Sequence, residues 1–143
     1  MTELAMSIQQ MNERLATQPY NRWMGAQVVA YENEALILEV PWRDEFIGTV
    51  AISSAHGGVL AAIIDLTGSY TIATRTGKPI PTIDLQIDYV RPAIRHTIRA
   101  EGRIVKIGRT FSVANATLLD PQGRLLATGR GLYYTAEVSA GAR

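Results

Sequence analysis

A chain of 143 residues, 47% apolar and 19% charged, fits one folded domain with a good core and leaves little room for a second. A net charge of +1 gives no electrostatic case for nucleic acid or an anionic membrane as partner. With no cysteine, disulfides, thiol nucleophiles and cysteine metal sites are excluded, and His56 and His96 alone do not suggest a histidine-built zinc site.

Residues 3–16 place Leu4, Ile8, Met11 and Leu15 at helical spacing, which predicts a short amphipathic helix ended by Pro19. No basic segment leads into an apolar core here, so the N-terminus does not read as a secretory signal and the cytoplasm is the expected location. Two β-rich runs, 26–31 and 35–40, are separated by Glu32, Asn33 and Glu34 and predict a hairpin. Residues 41–54 read as an irregular loop, of a length that often carries function.

The loop leads into HGGVLAAIIDLTGSYTIAT, residues 56–74, an apolar run whose one carboxylate is Asp65. A helix apolar on every side is normally wrapped by other structure. The run is of borderline length for a membrane span, but Asp65, Gly68, Ser69 and its threonines, and the strands after it, favour a core helix. Past the break at Gly77–Pro79, residues 82–90 alternate cleanly, with Ile83, Leu85, Ile87 and Tyr89 on one face and Thr82, Asp84, Gln86 and Asp88 on the other. Strands are also predicted over 98–107, 110–119 and 125–135, joined by turns at Gly108-Arg109 and 120–123, and the tail 136–143 is expected to fray. The predicted class is α+β: a single domain over 1–143, with an antiparallel sheet packed on one long helix.

HGGVLAAIIDLTGSY followed by TIDLQIDYVRPA resembles the hotdog-fold acyl-CoA thioesterases of the PaaI-like branch, in motif order and spacing from about Tyr20 to Thr135. The resemblance implies a curved antiparallel sheet wrapped around the central helix. It also implies subunits that pair as a homodimer or homotetramer with active sites at the interface, acyl-CoA as substrate, and no metal or other cofactor.

The residues bear their own chemical reading. Gly57 and Gly58 precede the helix, where backbone N–H groups lack helical partners and the dipole is positive. Without side chains they let a thioester carbonyl approach, and an oxyanion donor is worth roughly 3–4 kcal/mol in the best-studied case. Asp65 lies two turns on. An apolar setting should raise its pKa, as suits a base, and the resemblance implies that it acts as nucleophile or as general base for water. The plainer alternative is a core or interface Asp that caps a loop. The resemblance gives His56 a role in orienting substrate or loop, and Thr82 a hydroxyl that assists the Asp or its water; alone, either also reads as structural. Relatives often carry an Asn shortly before HGG, and here Thr49 follows Gly48 where it would stand. Leu60, Ile64 and Tyr70 are expected to shape the acyl tunnel, and Arg91, Arg109 and Lys106 to approach the nucleotide end of the ligand. The competing readings are a non-catalytic acyl-CoA-binding module of the same fold and, less favoured, a hydratase or dehydratase.

Overall fold

Three α-helices and eight strands follow one another in the computed structural model, which describes residues 3–136. Residues 137–143, most of the tail expected to fray, lie outside the described residues.

Helix α1 spans Ile8–Thr17 and starts later than predicted because Ser7 caps it. The Gln10 N–H donates to Ser7 Oγ at 3.1 Å and the Ser7 N–H to Gln10 Oε1 at 2.8 Å, a reciprocal box that fixes the first turn. Pro19 does more than end it. It opens a second helix the sequence reading did not contain, α2 over Pro19–Met24, because a first-turn residue needs no N–H. Gly25 closes α2 in the left-handed region, φ 77°.

Strands β1, Gln27–Glu32, and β2, Ala35–Val40, form the expected hairpin, with Asn33 and Glu34 both at positive φ (51° and 59°), as a two-residue turn of matching twist requires. The loop after β2 is partly ordered into a two-stranded ribbon, β3, Ile47–Thr49, against β4, Ser54–Ala55. Helix α3 spans Gly57–Thr76, and β5, Thr82–Tyr89, β6, Ile98–Lys106, β7, Phe111–Leu119, and β8, Leu125–Tyr134, complete the chain.

The main sheet is antiparallel in the order β1-β2-β6-β7-β8-β5 and wraps around α3. Leu60, Ile63, Ile64, Leu66 and Tyr70 of α3 are buried in one cluster with Leu36, Leu38, Ala100, Ala116, Leu118 and Ala127 of the sheet. Each of the leucines and isoleucines contributes about 1.5–3 kcal/mol on burial. Thr67, Thr71 and Thr74 are buried too, their hydroxyls donating back to the carbonyls of Ile63, Thr67 and Thr71. By length and composition α3 could cross a membrane, but here it is the covered core helix.

The two sheet edges differ. At β1 the Asn12 side chain acts as a strand surrogate: its amide donates to Val28 O at 2.9 Å and its oxygen accepts the Val28 N–H at 2.8 Å. Among the described residues no side chain does the same for β5. That strand also carries a bulge between Thr82 and Asp84, where two residues advance against a single step from Tyr133 to Leu132. Directly paired residues share a face, so Thr82 lies with the buried Tyr133 on the helix side and not with Asp84 as the alternation predicted. Leu85 and Ile87 pack on the core, whereas Ile83 and Tyr89 are more than half exposed.

Candidate functional site

The N-terminus of α3 is held from three directions. The His56 N–H donates to Phe46 O at 2.7 Å and the Ala55 N–H to Ala93 O at 2.9 Å. Gly48 packs so closely that a Cβ there would come within 2.7 Å of His56 Cα, which accounts for glycine in the preceding loop. Tyr89 Oη donates to Gly57 O at 2.7 Å from the end of β5.

The two glycines are not equivalent. The Gly58 N–H donates to His56 Nδ1 at 2.8 Å, so the histidine serves as N-cap and engages that amide. The Gly57 N–H makes no hydrogen bond among the described residues, which leaves it as the open donor at the positive end of the helix.

Asp65 is not sealed in the core. It is half-buried, and Thr82 Oγ1 donates to its Oδ1 at 2.5 Å; Oδ2 carries no hydrogen bond among the described residues. Beneath the pair lies the fully buried Tyr133, whose hydroxyl donates to Asp65 O at 3.2 Å. Burial, and after it the neighbouring Asp65 carboxylate, push the Tyr133 hydroxyl far above the ordinary tyrosine pKa. Gly68 makes room for it, since a Cβ there would overlap the phenol oxygen. Asp65 also lines a cavity of about 220 Å³ between α2 and α3, with Gln18, Tyr20 and Asn21 on one side and Ala62, Leu66, Ser69, Tyr70 and Pro79 on the other.

Asp65 lies eight helical steps after Gly57, and at 1.5 Å rise per step that is roughly 12 Å. A single chain therefore brings Asp65 and Thr82 together but not Asp65 and Gly57. Among the other candidates, Leu60 lines a shallow depression with Gly57, Tyr89 and Arg91. Ile64 does not line the cavity: it is 1% exposed and packs where β8 has Gly129 instead of a side chain. Tyr70 does line it, its hydroxyl donating to Gln18 Oε1 at 2.9 Å. Thr49 is exposed at the end of β3, its hydroxyl without a partner among the described residues. Arg91 and Arg109 are not gathered at one mouth: Arg91 follows β5 beside Leu125, while Arg109 and Lys106 stand at the opposite end of the sheet, by Tyr134.

Gln18, Asn21, Tyr89 and Tyr133 went unassigned in the sequence. Tyr133 left a faint trace, since Gly129-x-Gly131-x-Tyr133 puts two absent side chains and one large one on the helix-facing side of β8.

The family model described as "Thioesterase superfamily" matches residues 53–127, just over half of the chain. A solved structure described as a protein from the thioesterase superfamily is 38% identical with a TM-score of 0.85, covering 89% of this chain and 96% of that one. The medium/long-chain acyl-CoA thioesterase YigI of Escherichia coli K12 is 28% identical over 130 residues, 80% of this chain and 84% of YigI. The PaaI protein from the E. coli phenylacetic acid degradation operon shares the fold, with a TM-score of 0.73 at 18% identity over 89% of this chain and 92% of PaaI.

Proposed function

We propose, from the premise that this chain belongs to the thioesterase superfamily and is a thioester hydrolase, that it cleaves acyl-CoA to free CoA and a carboxylic acid in a site shared by two copies. In this reading the Gly57 N–H of one copy polarises the thioester carbonyl and Asp65 of the other activates water. Asp65 Oδ2 takes a proton from water as its oxygen bonds to the carbonyl carbon. The electron pair of the C=O moves to an oxyanion held by Gly57. When the oxyanion collapses, the C–S bond breaks and the thiolate leaves with the proton from Asp65. Thr82 fixes the carboxylate by holding Oδ1, so that Oδ2 faces the water. Direct attack by Asp65, with an anhydride then hydrolysed, uses the same groups and is told apart by trapping oxygen-18 in the carboxylate during a single turnover.

What carries this reading is the axial separation of an open N–H and a hydroxyl-braced carboxylate on one helix. Neither group alone completes a hydrolytic site, and no bend in α3 closes roughly 12 Å. A second copy added antiparallel at the open β5 edge would run its α3 the opposite way, bringing the helix start of one copy toward the Asp65 of the other. Exposed Ile83, Tyr89 and Val90 on that side would be covered. Arg91 lines the depression at the Gly57 end and suits a CoA phosphate.

Thiol release from acyl-CoA tests the assignment. Asp65→Asn should lower kcat by at least roughly a hundredfold. Gly57→Pro removes the N–H at a first-turn position where proline fits and after a His56 backbone (ψ 138°) that proline tolerates, and should cost a comparable factor. Because its Cβ would also come within 3.3 Å of Tyr89 Oη, Gly57→Ala, which keeps the N–H and adds the same Cβ, is the control and should keep most of the turnover. Retention of near wild-type turnover by Asp65→Asn would overturn the role of the carboxylate.

A further inference from the structure

The glycine with the open N–H stands between two peptide planes, and both are pinned. In the plane before it, the His56 carbonyl accepts the Val59 N–H at 2.9 Å. In the plane after it, the Gly58 N–H donates to His56 Nδ1 at 2.8 Å, and the Gly57 carbonyl accepts a bond from Tyr89 Oη at 2.7 Å. The Val59 and His56 ties come from the helix start itself. Only the tyrosine ties either plane to another element.

That tie is not needed to satisfy the carbonyl. The groups a helix leaves unpaired at its N-terminus are N–H donors, and its first carbonyls find helical partners four residues on. The hydroxyl therefore adds a second bond to an acceptor that already has one, and its consequence is direction. Glycine has the widest choice of φ and ψ, so without such ties small rotations at Gly57 would swing its N–H off a bound carbonyl.

Tyr89 is itself held by the sheet. It ends β5 in register with Ala127 of β8, and just beyond it the N–H groups of Val90 and Arg91 both donate to Leu126 O, at 2.8 and 3.0 Å. Arg91 Nη1 adds a bond to Leu125 O at 3.1 Å. The tyrosine ring lies against Gly57, since a Cβ there would meet it at 3.3 Å. Yet Tyr89 is more than half exposed and adds little to the core. A phenylalanine would fill the same space, so the hydroxyl is the part that calls for a role.

We propose that Tyr89 is a positioning residue for hydrolysis: through its bond to Gly57 O it fixes the direction of the Gly57 N–H toward the thioester carbonyl. The proposal rests on the hydrolytic reading above and adds to it a strand residue that acts through the glycine. It also couples the helix start to the open edge, since the strand a second copy would cover is the one that carries the tyrosine.

Tyr89→Phe tests it, because the ring stays and only the hydroxyl goes. Thiol release from decanoyl-CoA and phenylacetyl-CoA by the full-length protein should show kcat lowered about tenfold, with KM changed by less than about twofold. Thioether analogues of the same two compounds, which have no carbonyl to align, should bind wild type and variant equally by calorimetry. The urea midpoint and the mass from light scattering should also be unchanged. Turnover near the wild-type value would overturn the proposal. So would a loss carried by KM, by thioether binding, by the urea midpoint or by a changed mass, since each makes the hydroxyl a structural group. A wild-type protein that releases thiol from neither compound overturns the hydrolytic reading instead, and the tyrosine's role falls with it.

Discussion

The least conspicuous residue around Asp65 is the one with the clearest solution signature. Tyr133 keeps its proton where a solvated tyrosine would lose it, because burial and the Asp65 carboxylate both disfavour phenolate. The folded chain thus binds a proton that the unfolded chain releases above about pH 10, so this stability is fully present below that pH and declines as pH rises past it. Unfolding by denaturant at pH 8 and at pH 11 should show a loss that Tyr133→Phe makes shallower; equal slopes would remove the tyrosine from the account. His56 makes a complementary prediction. As N-cap through Nδ1, it should lose about 1 kcal/mol on His56→Ala, read from the urea midpoint.

Among the elements, the strands and α3 were legible because alternation and an unbroken apolar run report directly on burial, and β2, β6, β7 and β8 lie within two residues of their predicted bounds. What escaped was set by single residues acting against a local trend. Ser7 postponed α1, Pro19 opened α2, and the bulge at Ile83 reversed the facing of Thr82. Strict alternation put Thr82 outside with Asp84, and only the resemblance pointed it toward Asp65. The glycine pair was legible as a helix start with unpartnered N–H groups, but the engagement of Gly58 by His56 depends on a side-chain rotamer that sequence does not carry. Asn12 likewise reads as one polar residue on a helix, yet it answers both outward-facing backbone groups of Val28. Asn12→Ala should cost about 1–3 kcal/mol by leaving them without partners. It should also open a second strand edge to association, seen as faster aggregation in light scattering on heating.

For the whole molecule, one guarded edge and one open edge leave the proposed pairing a single strand to use, β5. Ile83→Glu places a charge on the open side and should shift the protein toward monomer in light scattering after gel filtration, with thiol release falling in step. A monomer of full activity would sink the shared site. The axial gap between Gly57 and Asp65 has a genetic consequence as well. With a site shared between two copies, as proposed, each of the variants Gly57→Pro and Asp65→Asn would spoil both sites of its own pair, but a mixed pair would place both lesions in one site and leave the other whole. Two inactive preparations, unfolded together and refolded, should therefore regain about a quarter of wild-type turnover, since half the pairs are hybrids with one working site of two. By the same logic two null alleles of one gene would complement each other in a single cell.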